Sequence, residues 1–151
     1  MEPWIEGKFR LHQYKIVKDA PNSKIYRVVA RGGDGKACVM LVQMYKVKPE
    51  RLVGFISDDV WIINFVKEGQ SDFDVTGSGS LDAFNTVFAA IQVMISDIHP
   101  DYIAYKPTDS DETKSAQKAR IYSGYFTRMG FGEYPKDQLP ESMQNLTVFK
   151  A

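Results

Sequence analysis

Apolar and polar residues alternate with a period of two over much of the first half of the chain, as in β-strands that bury one face. The alternation is imperfect at 8–17 and clear at 25–30 and 37–47. The last two segments flank residues 32–35 (GGDG). Because Gly and Asp tolerate the positive φ angles of tight turns, this arrangement predicts a β-hairpin. Residues 61–66 are apolar on both faces, which predicts a buried central strand within an antiparallel meander.

The pattern changes to a helical period after residue 80. Apolar residues then recur at steps of three and four positions, which predicts an amphipathic helix at 81–98. The apolar face of this helix consists of Phe84, Val87, Phe88, Ile91, Met94, Ile95 and Ile98. Pro100 cannot continue a helix, so we expect the helix to end just before it.

The remainder of the chain predicts one more helix and several short elements. The second helix is expected at 115–129, and Gly130 follows it, as Gly often does just past a helix C-terminus. The other expected elements are a strand at 102–105, a loop at 107–114, a strand at 131–134, a loop at 135–144 and a strand at 146–149. Strands followed by alternating helices and strands predict an α+β fold, with helices packed against a mostly antiparallel sheet.

Composition narrows the function classes without choosing among them. The 151 residues are 44% apolar, so we expect one domain spanning 1–151 with its own core. The 19 basic and 19 acidic residues cancel, which removes the whole-chain electrostatic argument for nucleic acid or an acidic membrane. Cys38 is the only cysteine, which excludes an intrachain disulfide and a Cys-rich zinc site. The chain has neither a signal-peptide pattern nor an apolar run of about 20 residues, which predicts a soluble, cytoplasmic protein.

The most informative local feature is a Gly/Ser stretch formed by Thr76, Gly77, Ser78, Gly79 and Ser80. It follows a predicted strand and leads directly into the first predicted helix. Free backbone N–H groups and the helix dipole at such a position bind phosphate groups, and Gly lets a ligand approach closely. The stretch is therefore a candidate pyrophosphate site. Ordinary turn and capping chemistry explains the same residues without a ligand.

Other polar groupings have simpler explanations. His99 stands at the end of the first predicted helix, where a cation favourably meets the helix dipole, so capping is the preferred interpretation. The acidic run at 109–112 lacks the remaining positions of a calcium loop, which predicts a solvated loop. No His/Cys/Asp grouping has metal-ligand spacing, so we predict no metal site. Cys38 lies in an apolar strand pattern and is expected in the core.

The order of these elements resembles the GNAT acyltransferase superfamily. In that family an antiparallel meander feeds a strand and a Gly-rich pyrophosphate loop. A long helix, a strand, a second helix ending in a Gly-aromatic pair and closing strands follow. Here the resemblance rests on 76–80 with its helix, on 102–106, and on 119–122 through Gly130-Phe131. The motifs VTGSG…DAFNTVFAAI and ARIYSGYFTRMGF look like those of short GNAT-like proteins encoded by bacteriophages.

The resemblance implies a GNAT-like core of strand, Gly loop and helix, with a second helix packed on the sheet. It also implies acetyl-CoA as acyl donor and an amine of unknown identity as acceptor. Backbone N–H groups of the Gly/Ser stretch would bind the pyrophosphate, and Arg120 on the second helix is a further candidate for cofactor binding. Catalysis would be direct acetyl transfer, in which a base deprotonates the amine and an acid protonates the leaving thiolate. For a phage protein the implied location is the host cytoplasm.

The chain departs from the family pattern at two places. Val75 stands where the family loop usually begins with Gln or Arg. The family's tyrosine acid lies four residues before the Gly of the Gly-Phe pair, where this chain has Phe126. Tyr125 is rotated about 100° around the helix from that place, and Tyr122 lies one turn earlier, so both are candidate catalytic acids. The nearest candidate general bases are Glu68, Asp72 and Asp74.

Three functions stay open at this point. The leading one is N-acetyl transfer from acetyl-CoA. The second is a catalytically inactive GNAT-like interaction protein that binds or inhibits a host protein. The third is a structural component of a virion or oligomer, which would need a self-complementary apolar surface. An enzyme needs an open pyrophosphate site at 76–80 and a hydroxyl group near the thioester, whereas an interaction protein can fill that cleft with side chains.

Overall fold

The computed structural model describes residues 4–5, 9–10, 14–31, 37–67, 80–106 and 112–151. Within them the chain forms strands and two α-helices, which confirms the predicted α+β class with a mostly antiparallel sheet. The strands are β1 (Trp4–Ile5), β2 (Phe9–Arg10), β3 (Tyr14–Ala20), β4 (Ser23–Arg31), β5 (Ala37–Lys46), β6 (Val60–Lys67), β7 (Tyr102–Tyr105), β8 (Gly132–Glu133) and β9 (Thr147–Lys150). The helices are α1 (Ser80–Ile98) and α2 (Glu112–Arg128). β1 pairs with β2, and the other seven strands form one sheet in the order β3-β4-β5-β6-β7-β9-β8.

The chain divides into two compact units, residues 1–44 with 64–98 and residues 45–63 with 99–151. In the first unit β3 and β4 form an antiparallel hairpin. α1 packs on β4, where Lys24 Nζ lies 3.0 Å from the carboxylate of Asp97. Lys24 also pairs with Asp19 on β3. These contacts identify the face of β4 that the helix covers.

Alternation along the strands builds the core of the first unit. On β4, Tyr26 and Val28 are buried on the same face as Lys24. The buried row of β5 consists of Met40, Val42 and Met44. On β6, the ring of Phe65 meets Phe88 of α1 edge to face, with the centroids 6.0 Å apart. The period-two and helical apolar positions of the sequence therefore meet in this core.

The second unit contains a parallel strand pair. Residues 60–62 of β6 pair with 102–104 of β7 in parallel. β9 lies between β7 and β8 and is antiparallel to both. Phe126 of α2 packs on Phe149 of β9, so α2 covers that face of these strands. The opposite face holds a buried cluster formed by Val47, Leu52, Val60, Ile62, Tyr102, Ala104, Leu139, Met143, Leu146 and Val148.

Residues 52–55 form a type II turn. Val53 has φ −58° and ψ 125°, Gly54 has φ 89°, and the Phe55 N–H donates to the Leu52 carbonyl at 2.9 Å. The positive φ is the reason that this turn needs Gly at its third position. Val53 is 70% exposed and Ile56, just after the turn, is 72% exposed.

Most of the predicted elements are confirmed, with shifts at their ends. The strand predicted at 102–105 is β7, and Gly130 ends α2 with φ 94°. α2 begins at Glu112, so the predicted loop at 107–114 was wrong for its last three residues. The apolar face that revealed this helix starts later, whereas an acidic residue in the first turn is favourable for helix formation. The predicted loop at 135–144 contains two short 3-10 turns, Lys136–Gln138 and Glu141–Met143.

Candidate functional site

Most of the predicted pyrophosphate loop lies outside the described residues. Thr76, Gly77, Ser78 and Gly79 belong to the segment 68–79, and Ser80 is the first residue of α1. The candidate bases Glu68, Asp72 and Asp74 lie outside the described residues as well. The structure provides the two flanks of this segment, namely β6 up to Lys67 and the 19-residue helix α1.

α2 brings Tyr122 against Tyr105 of β7. The two rings meet edge to face, with centroids 4.6 Å apart and planes at 90°. Tyr122 is half-buried, and burial raises the pKa of its phenol well above the ordinary value, with Tyr105 adding to the shift. The phenol therefore stays protonated at neutral pH. Tyr122 can donate a hydrogen bond or a proton there, but it cannot act as a base.

Tyr105 connects this contact to β9. Thr147 is its cross-strand partner, and the two side chains are hydrogen-bonded. Burial raises the pKa of Tyr105, the hydrogen bond to Thr147 lowers it, and the charge of Glu133 raises it further. The Tyr105 ring also stacks on Phe149, with centroids 6.3 Å apart. Two phenols and a threonine hydroxyl thus lie together beneath α2, an arrangement that no local pattern in the sequence reveals.

Tyr125 has a different environment from Tyr122. It is 4% exposed, and the guanidinium carbon of Arg128 lies 4.9 Å from its ring centroid, which is a cation–π distance. Phe126, at the place of the family's tyrosine, is a core residue whose ring lies 4.9 Å from that of Phe149. Tyr122 lies one turn before Phe126 on the same helix face. A catalytic acid must reach the group that it protonates. The partly exposed Tyr122 is therefore a better candidate for this role than the buried Tyr125.

Arg120 does not share this face of α2. It is exposed, whereas Tyr122 is half-buried. Two residues along an α-helix are about 200° apart around its axis, so the two side chains leave the helix in nearly opposite directions. The structure therefore does not bring Arg120 and Tyr122 into one constellation. A role for Arg120 in cofactor binding stays a separate prediction.

Asp59, which no sequence pattern singles out, ties the start of β6 to the start of β7. Its Oδ1 accepts a hydrogen bond from the Trp61 indole N–H at 3.1 Å, and its Oδ2 accepts one from the Asp101 backbone N–H at 2.9 Å. Its main-chain carbonyl accepts from the Tyr102 N–H at 3.2 Å. Asp59 and Asp101 are 42 positions apart, so local sequence patterns carry no signal for this contact.

Four further observations concern His99, metal binding, Cys38 and membrane spans. His99 has φ 53° and is exposed where α1 ends. Within the described residues no group of three His, Cys, Asp or Glu side chains could hold a metal ion. Cys38 belongs to β5, and its side chain lies outside the described part of the chain. Among the helices in the described ranges, none is long and apolar enough to cross a membrane.

Comparisons of the chain with protein-family models, with curated proteins and with solved structures found no match.

Proposed function

We propose that the chain is a GNAT-like N-acetyltransferase that transfers an acetyl group from acetyl-CoA to an amine. The observation that carries the proposal is the order of its elements. A run of sheet strands ends in β6, and a Gly/Ser segment, α1 and the parallel strand β7 follow. α2 then ends at Arg128, Gly130 follows it, and two closing strands complete the order. Parallel neighbours require a crossover connection, and α1 lies in the connection between β6 and β7.

The start of α1 supports acetyl-CoA as the donor. α1 begins at Ser80, directly after Gly77 and Gly79, so its first N–H groups and its dipole favour an anion beside the Gly/Ser stretch. Bound acetyl-CoA would supply the activated thioester. The chain would contribute backbone N–H groups that hold the pyrophosphate. Tyr122, whose phenol keeps its proton, would donate that proton to the leaving thiolate.

Calorimetry with acetyl-CoA and with free CoA tests the cofactor part of this proposal. We expect dissociation constants on the order of micromolar for the wild-type protein. Gly77→Asp/Gly79→Asp should abolish binding, because two carboxylates would repel the pyrophosphate and fill the space it needs. Gly132→Asp is the matched control, since Gly132 is exposed and a Cβ added there would meet only open space. Absence of binding to the folded wild-type protein would overturn the proposal.

A phenylalanine at position 122 tests the chemical part. Tyr122→Phe keeps the ring contact with Tyr105 but removes the proton donor, so CoA binding should persist. Acetyl transfer in a screen of amines should fall by about 10²–10⁴-fold, the usual contribution of a general acid. Tyr125→Phe serves as the matched control and should retain most of the activity. An active Tyr122→Phe variant together with an inactive Tyr125→Phe variant would assign the acid to Tyr125 instead.

A GNAT-like interaction protein that binds a host factor is the second candidate function. The exposed apolar side chains of Val53 and Ile56 on the second unit favour it, because exposed apolar groups often mark contact surfaces. The two functions differ in their response to mutation. An interaction protein keeps its activity when the Gly/Ser stretch and Tyr122 are altered, whereas an acetyltransferase loses it. Failure to bind CoA would leave this second function as the better account.

A further inference from the structure

Aromatic rings of the second unit form a continuous group between α2 and the sheet. Two of them, Tyr122 and Phe126, belong to α2, while Tyr105 belongs to β7 and Phe149 to β9. The contacts run from Tyr122 to Tyr105, then to Phe149 and then to Phe126, with centroids 4.6, 6.3 and 4.9 Å apart. Tyr122 and Phe126 lie about one helical turn apart, so this series of contacts begins and ends on the same face of α2. We call these residues the ring group.

Within the ring group, Tyr105 is contacted from two directions. Its ring plane lies 23° from that of Phe149 and at 90° to that of Tyr122. Phe149 therefore stacks alongside the Tyr105 ring, whereas Tyr122 meets that ring edge to face. Because Tyr105 is only 6% exposed, these contacts restrict the plane of its ring.

A hydrogen bond anchors the hydroxyl end of the Tyr105 side chain. Thr147 is the direct partner of Tyr105 in the antiparallel pairing of β7 and β9, and direct partners point to the same face of a sheet. The two side chains are hydrogen-bonded to each other. Packing on Phe149 therefore restricts the ring, and Thr147 restricts the hydroxyl group.

The orientation of Tyr122 depends on this restricted neighbour. The phenol oxygen of a tyrosine lies beyond two rotatable bonds, and the helix backbone alone leaves more than one rotamer open. An edge-to-face contact has a preferred geometry and therefore selects among these rotamers. A general acid transfers its proton only from within hydrogen-bond distance of the acceptor, so its efficiency depends on the rotamer that is selected.

We propose that Tyr105, anchored by Thr147, is a positioning residue that holds the Tyr122 phenol in the orientation from which it donates its proton. Tyr105 acts through Tyr122 and is not itself a catalytic residue. The catalytic part of this inference rests on the proposed acetyl transfer. In that reaction the O–H proton of Tyr122 passes to the sulfur of the leaving thiolate, and the phenolate then regains a proton from water.

Apolar packing alone does not require the two hydroxyl groups of Tyr105 and Thr147. Phenylalanine and valine would fill nearly the same volume, and Phe126 and Phe149 show that the ring group accepts rings without a hydroxyl. A buried hydroxyl needs a hydrogen-bond partner, which an apolar side chain does not. The paired hydroxyl groups therefore favour a role in orientation over simple filling of space.

Substitutions that break the anchor without removing a ring test this role. Tyr105→Phe and Thr147→Val each remove one side of the hydrogen bond, whereas Thr147→Ser keeps a hydroxyl group. In either of the first two variants, kcat for acetyl transfer should fall about three- to tenfold while KM for acetyl-CoA changes less than about twofold, because the orientation of the acid affects the transition state rather than binding. Thr147→Ser should keep most of the wild-type kcat. The double variant should be no slower than the slower single variant, because both substitutions break the same bond.

A Tyr122→Phe background separates positioning from general structural damage. Once the proton donor is absent, the orientation of the ring at position 122 no longer affects proton transfer. Tyr105→Phe and Thr147→Val should therefore cause no further loss of kcat in that background, whereas structural damage would still lower it. Tyr134→Phe is the matched control, because Tyr134 packs on the buried cluster of the opposite face of these strands. This control removes a phenol hydroxyl from the same unit and should leave kcat unchanged.

NMR with ¹³C-labelled tyrosine tests the orientation itself and needs no enzymatic activity. The ring resonances of Tyr122 are assigned by their loss in Tyr122→Phe. A neighbouring aromatic ring shifts them through its ring current, so a change in the contact with Tyr105 moves them. Thr147→Val should move the Tyr122 resonances, whereas Thr147→Ser and Tyr134→Phe should leave them at their wild-type positions. Melting curves will show that each variant is folded.

The two measurements distinguish failure of this inference from failure of the proposed function. Unchanged Tyr122 resonances in Thr147→Val would overturn the inference. An equal loss of kcat from Thr147→Val with and without the Tyr122 hydroxyl would also overturn it. A wild-type protein that transfers no acetyl group would instead overturn the proposed function, and the resonances would then decide by themselves whether Tyr105 positions Tyr122.

Discussion

Replacing Asp59 with alanine should destabilise the protein, because this carboxylate joins the beginnings of two parallel strands. Oδ1 accepts from the Trp61 indole and Oδ2 accepts from the Asp101 backbone N–H. Alanine removes both acceptors at once. The backbone N–H of Tyr102 donates to the main-chain carbonyl of residue 59 whether that residue is Asp or Ala, so the strand pairing itself need not change.

The expected loss of stability follows from the two hydrogen bonds that Asp59→Ala removes. Hydrogen bonds to a charged group contribute about 1.5–3 kcal/mol each, and the bond to Asp101 is exposed and belongs near the lower end. Trp61 is 4% exposed, so its indole N–H would lose its acceptor in a mostly buried position. We expect a loss of about 2–4 kcal/mol for Asp59→Ala. Asp59→Asn keeps one acceptor oxygen and should cost about 1–2 kcal/mol.

Urea unfolding followed by circular dichroism and by Trp fluorescence measures these differences. The free energy of unfolding is obtained by linear extrapolation for the wild type and for both variants. In thermal scans, each kcal/mol of lost stability should lower the melting temperature by about 2–4 °C for a chain of this size. Asp58→Ala is the matched control, because Asp58 is the exposed neighbour of Asp59. It should change stability by less than about 0.5 kcal/mol.

The prediction is wrong if the free energy of unfolding of Asp59→Ala lies within about 0.5 kcal/mol of the values for the wild type and for Asp58→Ala. Such a result would mean that solvent replaces the two hydrogen bonds at no cost. If Asp59→Asn were as destabilising as Asp59→Ala, the loss would come from the negative charge rather than from the number of acceptors. The expected order of stability is wild type, then the Asn variant, then the Ala variant.

Three further predictions concern single side chains. Tyr122 has a raised pKa in the folded state, so the stability of the wild type should fall as the pH rises above the ordinary tyrosine pKa of about 10. Between about pH 9 and pH 11, the melting temperature of Tyr122→Phe should therefore fall less than that of the wild type. Asp19, and then Asp97, raise the pKa of Lys24, so these ion pairs stabilise the folded protein near neutral pH. Because both carboxylates are largely exposed, Lys24→Met should lower the free energy of unfolding by no more than about 1 kcal/mol. This difference should disappear in unfolding experiments above the raised pKa of Lys24. Gly130→Ala should cost about 1–2 kcal/mol through its φ of 94°, whereas Gly132→Ala, with equally open space around the added methyl group, should cost nothing in the same assay.

The elements with local causes could be predicted from the sequence. α1 shows a full apolar face and ends before a proline, and β7 is a short apolar run between polar segments. The irregularity in β3 near Val17 could not be predicted, because it depends on how two strands pair. The early start of α2 was missed for a related reason, since its first turn is polar and contributes nothing to the apolar pattern.

The candidate site was only partly predictable, because its contacts depend on how separate elements pair and pack. Tyr122 was a candidate because it lies one turn from the position expected from the family, and helix geometry is local. The contact of Tyr122 with Tyr105 and the hydrogen bond between Tyr105 and Thr147 join three separate elements. Only the register of β7 and β9 and the docking of α2 decide those contacts. The same holds for Asp59 and Asp101, which are brought together by the parallel pairing of two strands.

The position of β9 has a consequence for folding during synthesis. β9 follows β7 and β8 along the chain, yet it lies between them in the sheet. A growing chain that has emerged only as far as residue 146 therefore presents one side of β7 without its neighbour, and Phe126 of α2 without Phe149. Non-local strand pairing of this kind is slow, and unpaired apolar edges are prone to aggregate. Chaperones that shield apolar edges should therefore be needed most in the interval before residues 147–150 leave the ribosome.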